Sequence, residues 1–263
     1  MQKLILFLSA VFFFRTAKTQ DFFHLYEKKT FVRDGKTLPY RILYPRGYEK
    51  DKAYPLLMFL HGSGERGNDN VAQLSLGGFL FLADSLRKNY PAVVIFPQCP
   101  ADSSWSAIEF KYDAGMKRGI LVGPYHEEPT GPALLVKELM DSLVESKVVD
   151  SKRIYVGGLS MGGFGVFDML ERYPDYFAAA IAICGGGDTT MAKRFAGQLP
   201  LWIFHGGADP IVTVESSRRY YRALKALGAD VRYTEYPGVG HNSWDNVFVE
   251  RDLFHWLFSN KRN

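Results

Sequence analysis

The sequence predicts an α/β fold, a mostly parallel central sheet flanked by helices with antiparallel strands at its N-terminal edge, and three observations carry that reading. Short unbroken apolar runs at 56–60, 92–96, 154–156, 178–183 and 201–204 are of strand length and suit strands buried on both faces of a parallel sheet. Helical stretches alternate with them, 132–146 and 215–227 being the clearest. Ahead of them, 22–32 and 38–44 flank Asp34-Gly35, a two-residue turn signal, and read as a hairpin at the sheet edge.

Each element has local signals at its ends. Thr130 stands where the helix over 132–146 needs an N-cap, and Gly228 where the helix over 215–227 needs its C-cap. The segment 153–157 reads as a strand, 162–173 as the helix after it, and Pro174 stops that helix. A further strand-like stretch covers 232–236, and an apolar-periodic helix containing His255 closes the chain. The 263 residues, 47% of them hydrophobic, suffice for one sizeable core. After residue 20 no repeat, low-complexity tract or linker divides the chain, so 21–263 reads as one domain. In such sheets ligands gather beyond the carboxyl ends of the strands, and the functional residues are to be sought there.

Residues 1–20 read differently. Lys3 precedes an eleven-residue apolar run, 4–14, the pattern of a secretory signal peptide and too short for a membrane span of about 20 residues. Cleavage is expected between Ala17 and Gln20, giving a secreted or periplasmic protein. The full chain has 32 basic and 28 acidic residues; without Lys3, Arg15 and Lys18 it has 29 and 28, a net +1. With no long Lys/Arg run, nucleic acid and anionic membranes lack electrostatic support as partners. Cys99 and Cys184 are the only cysteines, and neither sits in a Cys-x-x-Cys or near a histidine cluster. A metal site and a thiol nucleophile are therefore not expected, nor is any cofactor. Both thiols are expected free, since the strands they follow should not be neighbours.

The strongest local signal is Gly158-Leu159-Ser160-Met161-Gly162, a tight strand-to-helix turn that projects a serine hydroxyl, with glycines avoiding clashes on either side. Gly162, Gly163 and Gly165 would weaken a helix, a cost that makes sense if the helix packs very closely on the sheet. The bland alternative is a structural turn with a capping serine. A serine hydroxyl needs a base to become a nucleophile, and the base needs an acid to fix its tautomer. Asp209 follows the strand 201–204 and is the candidate acid; Asp188 lies one strand too early and Asp230 sits in a polar turn. His241 is the candidate base, in a glycine-containing loop after 232–236. His255 belongs to the terminal helix, His24 and His126 precede the serine turn, and His205, ending a strand beside the acid, reads as structural.

Negative charge on a tetrahedral intermediate calls for two N–H donors. Met161, after the serine, is expected to supply one, and the glycine-rich loop 61–67 the other, with the Ser63 amide preferred to Gly64. That loop lacks the Lys-Ser/Thr ending of a phosphate-binding P-loop. Trp105 and Trp244 are candidate substrate-binding residues, flat apolar walls suited to a sugar face or a phenolic acyl group, unless both merely pack the loops.

Residues 60–67, 158–163, 205–209 and 240–244 together resemble the carbohydrate-esterase branch of the α/β-hydrolases, which includes feruloyl and acetylxylan esterases and is similar to polyhydroxybutyrate depolymerases. The resemblance covers about residues 30–260. It implies the α/β-hydrolase fold and ester hydrolysis through an acyl-enzyme, acting on small-molecule or polysaccharide-linked esters of carbohydrates or phenolic acids. The stretch 109–128 departs from it as an insertion beside the site. Peptidases of the prolyl-oligopeptidase type share the triad order but carry a large gating domain for which this chain has no residues to spare. A lipase would show a long apolar lid, and dienelactone-type hydrolysis a cysteine where Ser160 stands. A binding protein on an inactive hydrolase fold would not need Ser160, Asp209 and His241 intact.

Overall fold

In the computed structural model, which describes residues 23–113, 118–122 and 126–262, an eight-stranded sheet forms the centre of the molecule. Its N-terminal hairpin pairs β1 (Glu27–Arg33) with β2 (Lys36–Leu43), and the two turn residues Asp34 and Gly35 have φ of +50° and +74°. Positive φ at both centres gives the turn the twist that two strands require. The strand begins later than the apolar reading of 22–32 suggests, because Phe23–Leu25 coil into a 3-10 turn that lets Tyr26 bury its ring and donate its hydroxyl to the Gly78 carbonyl.

The other sheet strands are β3 (Tyr54–Leu60), β4 (Val93–Pro97), β7 (Val149–Leu159), β8 (Ala179–Ile183), β9 (Leu201–Gly206) and β10 (Val231–Tyr236). The order across the sheet is β1-β2-β4-β3-β7-β8-β9-β10, parallel from β4 to β10, with β2 antiparallel to β4. β3, β4, β8 and β9 are buried along their whole lengths, which is why they read as unbroken apolar runs. β7 starts earlier than expected, at Val149, with a shift in register between its pairings with Tyr54 and Leu56.

The helices are α1 (Asp84–Asn89), α2 (Gly131–Glu145), α3 (Met161–Arg172), α4 (Glu215–Ala226), α5 (Trp244–Val247) and α6 (Leu253–Ser259). Thr130 caps α2, its hydroxyl accepting from the Ala133 N–H at 3.3 Å, and Gly228 follows α4 with φ +72°. Alternate residues of β3 enter opposite cores: Leu56, Met58 and Leu60 belong to the core that α2, α3 and α4 cover, whereas Leu57 and Phe59 belong to the core under α6. Each fully buried side chain of this kind stabilises by about 1.5–3 kcal/mol. The stretch read as an insertion contains a separate antiparallel hairpin, β5 (Glu109–Asp113) with β6 (Arg118–Val122).

The chain passes from β3 to β4 on one side and later returns past β3 to β7 on the other. The crevice at the carboxyl ends of β3 and β7 is therefore where a ligand is expected. Residues 1–20, read as an export signal, lie outside the described residues. Among the described residues no helix is long and apolar enough to cross a membrane.

Candidate active site

The turn between β7 and α3 puts Ser160 at φ +53°, ψ −119°, a conformation costly for a residue with a side chain and held here by its surroundings. Its N–H donates to the Ile183 carbonyl at 2.9 Å, tying the turn to β8. A Cβ on Gly158 would collide with the Gly162 carbonyl, and one on Gly162 with the Leu60 carbonyl oxygen. Gly163 lies equally close to β8, where a Cβ would sit 2.5 Å from the Ile183 oxygen. The glycines thus bring α3 onto the sheet at backbone contact and aim its N-terminus, whose first N–H groups have no partner within the helix, at the crevice.

His241, 81 residues further along the chain, reaches the serine: its Nε2 lies 2.9 Å from Ser160 Oγ, and its Nδ1 2.7 Å from Asp209 Oδ2. A carboxylate only accepts, so the network places the imidazole proton on Nδ1 and leaves Nε2 to accept from the serine hydroxyl. The Asp209 side chain is wholly buried, and its Oδ1 accepts from the Ile211 and Val212 N–H groups at 2.8 and 2.9 Å. Burial alone would raise its pKa, but hydrogen bonds from His205 and His241, the His241 charge and the Ile211 N–H outweigh that and hold it well below the usual carboxylate range.

His205 takes a part the sequence did not disclose. Its Nε2 lies 2.9 Å from the Val212 carbonyl and 3.3 Å from Asp209 Oδ2, both acceptors, so Nε2 carries a proton. Its Nδ1 lies 2.7 Å from Ser217 Oγ on α4. The carboxylate is consequently gripped between two imidazoles. A histidine four residues before the acid was the available signal, but nothing local shows that its ring turns back. Cys184 Sγ also converges on this place, within 4.8 Å of ligand atoms of Asp209 and His241. Burial raises its thiol far above the ordinary range, so it stays protonated.

The loop after β3 is clamped from below. His61 is buried, its Nδ1 facing the Gly62 carbonyl at 2.6 Å and its Nε2 accepting from the Cys99 N–H at 3.0 Å. Burial lowers its pKa to about 4, so it clips the β3 and β4 loops together as a neutral ring. This clamp holds Ser63 at the crevice, where Ser63 and Met161 line the same cavity as Ser160 and His241. The cavity measures about 520 Å³, within the range of small-molecule sites. Its wall also includes the polar Arg66, Ser104 and Ser106 and the apolar Ile108, Phe164, Ile211 and Val212.

The two tryptophans are not walls of this cavity. Trp105 does not project over the strand ends as its position after β4 suggests. It is fully buried, its indole N–H donates to the His61 carbonyl at 3.0 Å, and it fills the space that Gly165 leaves, where a Cβ would lie 2.5 Å from its own. Burying the indole requires an acceptor for its N–H, and the clamped loop supplies one. Trp244, half-buried at the start of α5, meets the His241 ring edge-on at 5.4 Å and packs against the core beneath. Cys99 and Cys184 are both free and buried, and β3 and β7 separate the strands they follow.

A mostly parallel sheet with this serine turn at its switch point defines an α/β-hydrolase. The model of the dienelactone hydrolase family matches residues 128–246, the stretch containing Ser160, Asp209 and His241. A solved thermostable esterase is 35% identical and superposes with a TM-score of 0.82 over 92% of this chain, which spans 64% of that protein's length. A probable carboxylesterase of Oryza sativa subsp. japonica is 28% identical over 211 residues, 73% of this chain and 83% of its own. A ferulic acid esterase of Anaeromyces mucronatus shares the fold, with a TM-score of 0.63 at 17% identity over 89% of this chain and 88% of that one. The chain has the α/β-hydrolase fold and is similar to esterases of that fold, and it is a hydrolase of the carboxylic-ester type.

Proposed function

We propose that this protein hydrolyses acyl esters of carbohydrates or phenolic acids through an acyl-serine intermediate, with Ser160 as nucleophile, His241 as base and Asp209 as the acid that orients it. The observation that carries the reading is the continuous hydrogen-bonded chain from Ser160 Oγ through His241 to the buried Asp209, set in the wall of a substrate-sized cavity. Ser160 Oγ attacks the ester carbonyl as its proton passes to His241 Nε2, and the imidazolium is stabilised by the Asp209 carboxylate. The resulting oxyanion is met by the N–H groups of Ser63 and Met161, each such donor being worth about a hundredfold or more in rate. Collapse breaks the ester C–O bond, and His241 returns the proton to the departing alcohol oxygen. Water then attacks the acyl-serine with His241 again as base, releasing the carboxylic acid and regenerating Ser160.

In this reading residues 1–20 direct export and are removed, so the mature protein meets its esters outside the cytoplasm; a secreted mature chain starting near residues 18–21 would support this. The decisive experiment treats the protein with a fluorophosphonate and locates the adduct by mass, alongside turnover of acetyl, feruloyl and palmitoyl esters and a prolyl amide. An adduct on Ser160, loss of turnover in Ser160→Ala and preference for acetyl or feruloyl esters are expected. Full activity of Ser160→Ala would sink the mechanism, and preferred cleavage of the palmitoyl ester or the amide would sink the substrate class.

A further inference from the structure

Arg66 is the one permanently charged side chain in the cavity wall, and no carboxylate lines that wall among the described residues. Its guanidinium is already held: Nε donates to the Ser63 carbonyl at 3.0 Å and Nη1 to the Ser103 carbonyl at 3.2 Å. A guanidinium has five N–H donors, so three remain after these two bonds. Among the described residues no carboxylate pairs with it. Its sequence neighbour Glu65 does not neutralise it, because that side chain turns inward onto the Gly62 and Glu65 N–H groups. The hydroxyl-bearing residues Ser63, Ser104 and Ser106 line the same cavity, together with the apolar Ile108, Phe164, Ile211 and Val212.

A cation fixed in a concave wall with no counter-charge draws an anion, and the concavity strengthens the attraction. Because two main-chain carbonyls already fix the fork, little side-chain entropy is lost when a ligand binds. One of those carbonyls belongs to Ser63, so the guanidinium is set at a constrained separation from Ser160. Resting on the ester-hydrolase reading above, we propose that Arg66 is a specificity-determining residue which selects esters bearing a carboxylate a few bonds from the scissile carbonyl. A carboxylate matches the planar fork. A phosphate dianion would call for a second cation, and among the described residues no other Lys or Arg lines the cavity.

The carboxylate could belong to the acyl group or to the alcohol, and two pairs of esters separate these sources. The acyl side is read by 4-nitrophenyl hemisuccinate against 4-nitrophenyl butyrate, and the alcohol side by 4-acetoxybenzoate against 4-acetoxybenzamide. The wild-type protein should favour the anionic member of at least one pair in kcat/KM by roughly five- to tenfold, the scale of a charge-assisted contact. In Arg66→Gln that ratio should fall to about one or below, mainly through KM, with Arg66→Lys intermediate and the preference weakening as salt is raised. Reading the ratio cancels any general loss caused by loosening the Ser63 loop. No anionic preference in either pair, or equal losses on both members in Arg66→Gln, would overturn the proposal and leave the ester-hydrolase reading standing. Failure to cleave any of the four esters would remove that reading and the proposal with it.

Discussion

Glu171 should make this protein lose stability as the pH rises through neutrality. It lies on α3 at 1% exposure, with the Tyr220 hydroxyl donating to Oε1 and no partner for Oε2. Burial pushes its pKa from 4.5 up to about 8; the Tyr220 hydrogen bond and Arg172 oppose this, and the Asp168 and Asp188 charges add to it. Between those two pH values the folded state keeps a proton that the unfolded state has released. The stabilisation present below pH 4.5 is therefore lost progressively up to about pH 8 and no further above it. The 3.5 units between the two values correspond to about 5 kcal/mol, at 1.36 kcal/mol per unit. Glu171→Leu removes the titration, and Tyr220 keeps an acceptor in the Asp188 carbonyl at 3.1 Å. Urea unfolding of both proteins at intervals from pH 6 to pH 8.5 measures the difference, in which the other titrating groups largely cancel. Whatever the leucine costs at pH 6, the variant should gain on the wild type by about 2.3 kcal/mol by pH 8, where the folded carboxyl is half ionised. A difference constant to within about 0.5 kcal/mol over that range, the scale of ordinary non-additivity, would refute the burial argument.

Asp209→Asn should lower kcat by about four orders of magnitude with the fold retained, because the amide can present an N–H to His241 Nδ1 and favour the wrong tautomer; a greater loss in Asp188→Asn or Asp230→Asn would point to another acid. His205→Ala should lower kcat more than it raises KM, since it frees the second grip on Asp209, and His205→Gln should recover part of the rate; unchanged kcat in His205→Ala well below its Tm would leave the ring a purely structural role. Trp105→Ala should cost about 3–5 kcal/mol in urea unfolding, the scale for emptying a buried aromatic site, and leave the His61 carbonyl without its donor. A stable variant in which only KM rises would restore Trp105 to the cavity wall.

Much of the frame was legible from neighbouring residues alone. Asp34-Gly35 between two strand-like runs dictates a hairpin because few residue pairs tolerate positive φ at both turn centres. Apolar runs announce β3, β4, β8 and β9 because parallel strands are buried on both faces. Thr130, Pro174 and Gly228 mark helix ends through the hydrogen bonds and φ values that helix termini require. The glycines around Ser160 foretold close packing of α3 on the sheet, which the missing Cβ atoms permit. Other features depended on which strands lie side by side. Placing β3 between β4 and β7 makes the crevice, and carrying the loop after β10 back over β9 brings His241 to Ser160 across 81 residues. Local pattern could not show that Trp105 turns inward, because its acceptor lies 44 positions back, on His61. Nor could it show that His205 bonds Asp209 or that Arg66 stands in the cavity wall. Backbone geometry acts over a few residues and leaves its mark in sequence; a buried donor finds its acceptor wherever the packing brings one, and that is decided by the tertiary structure.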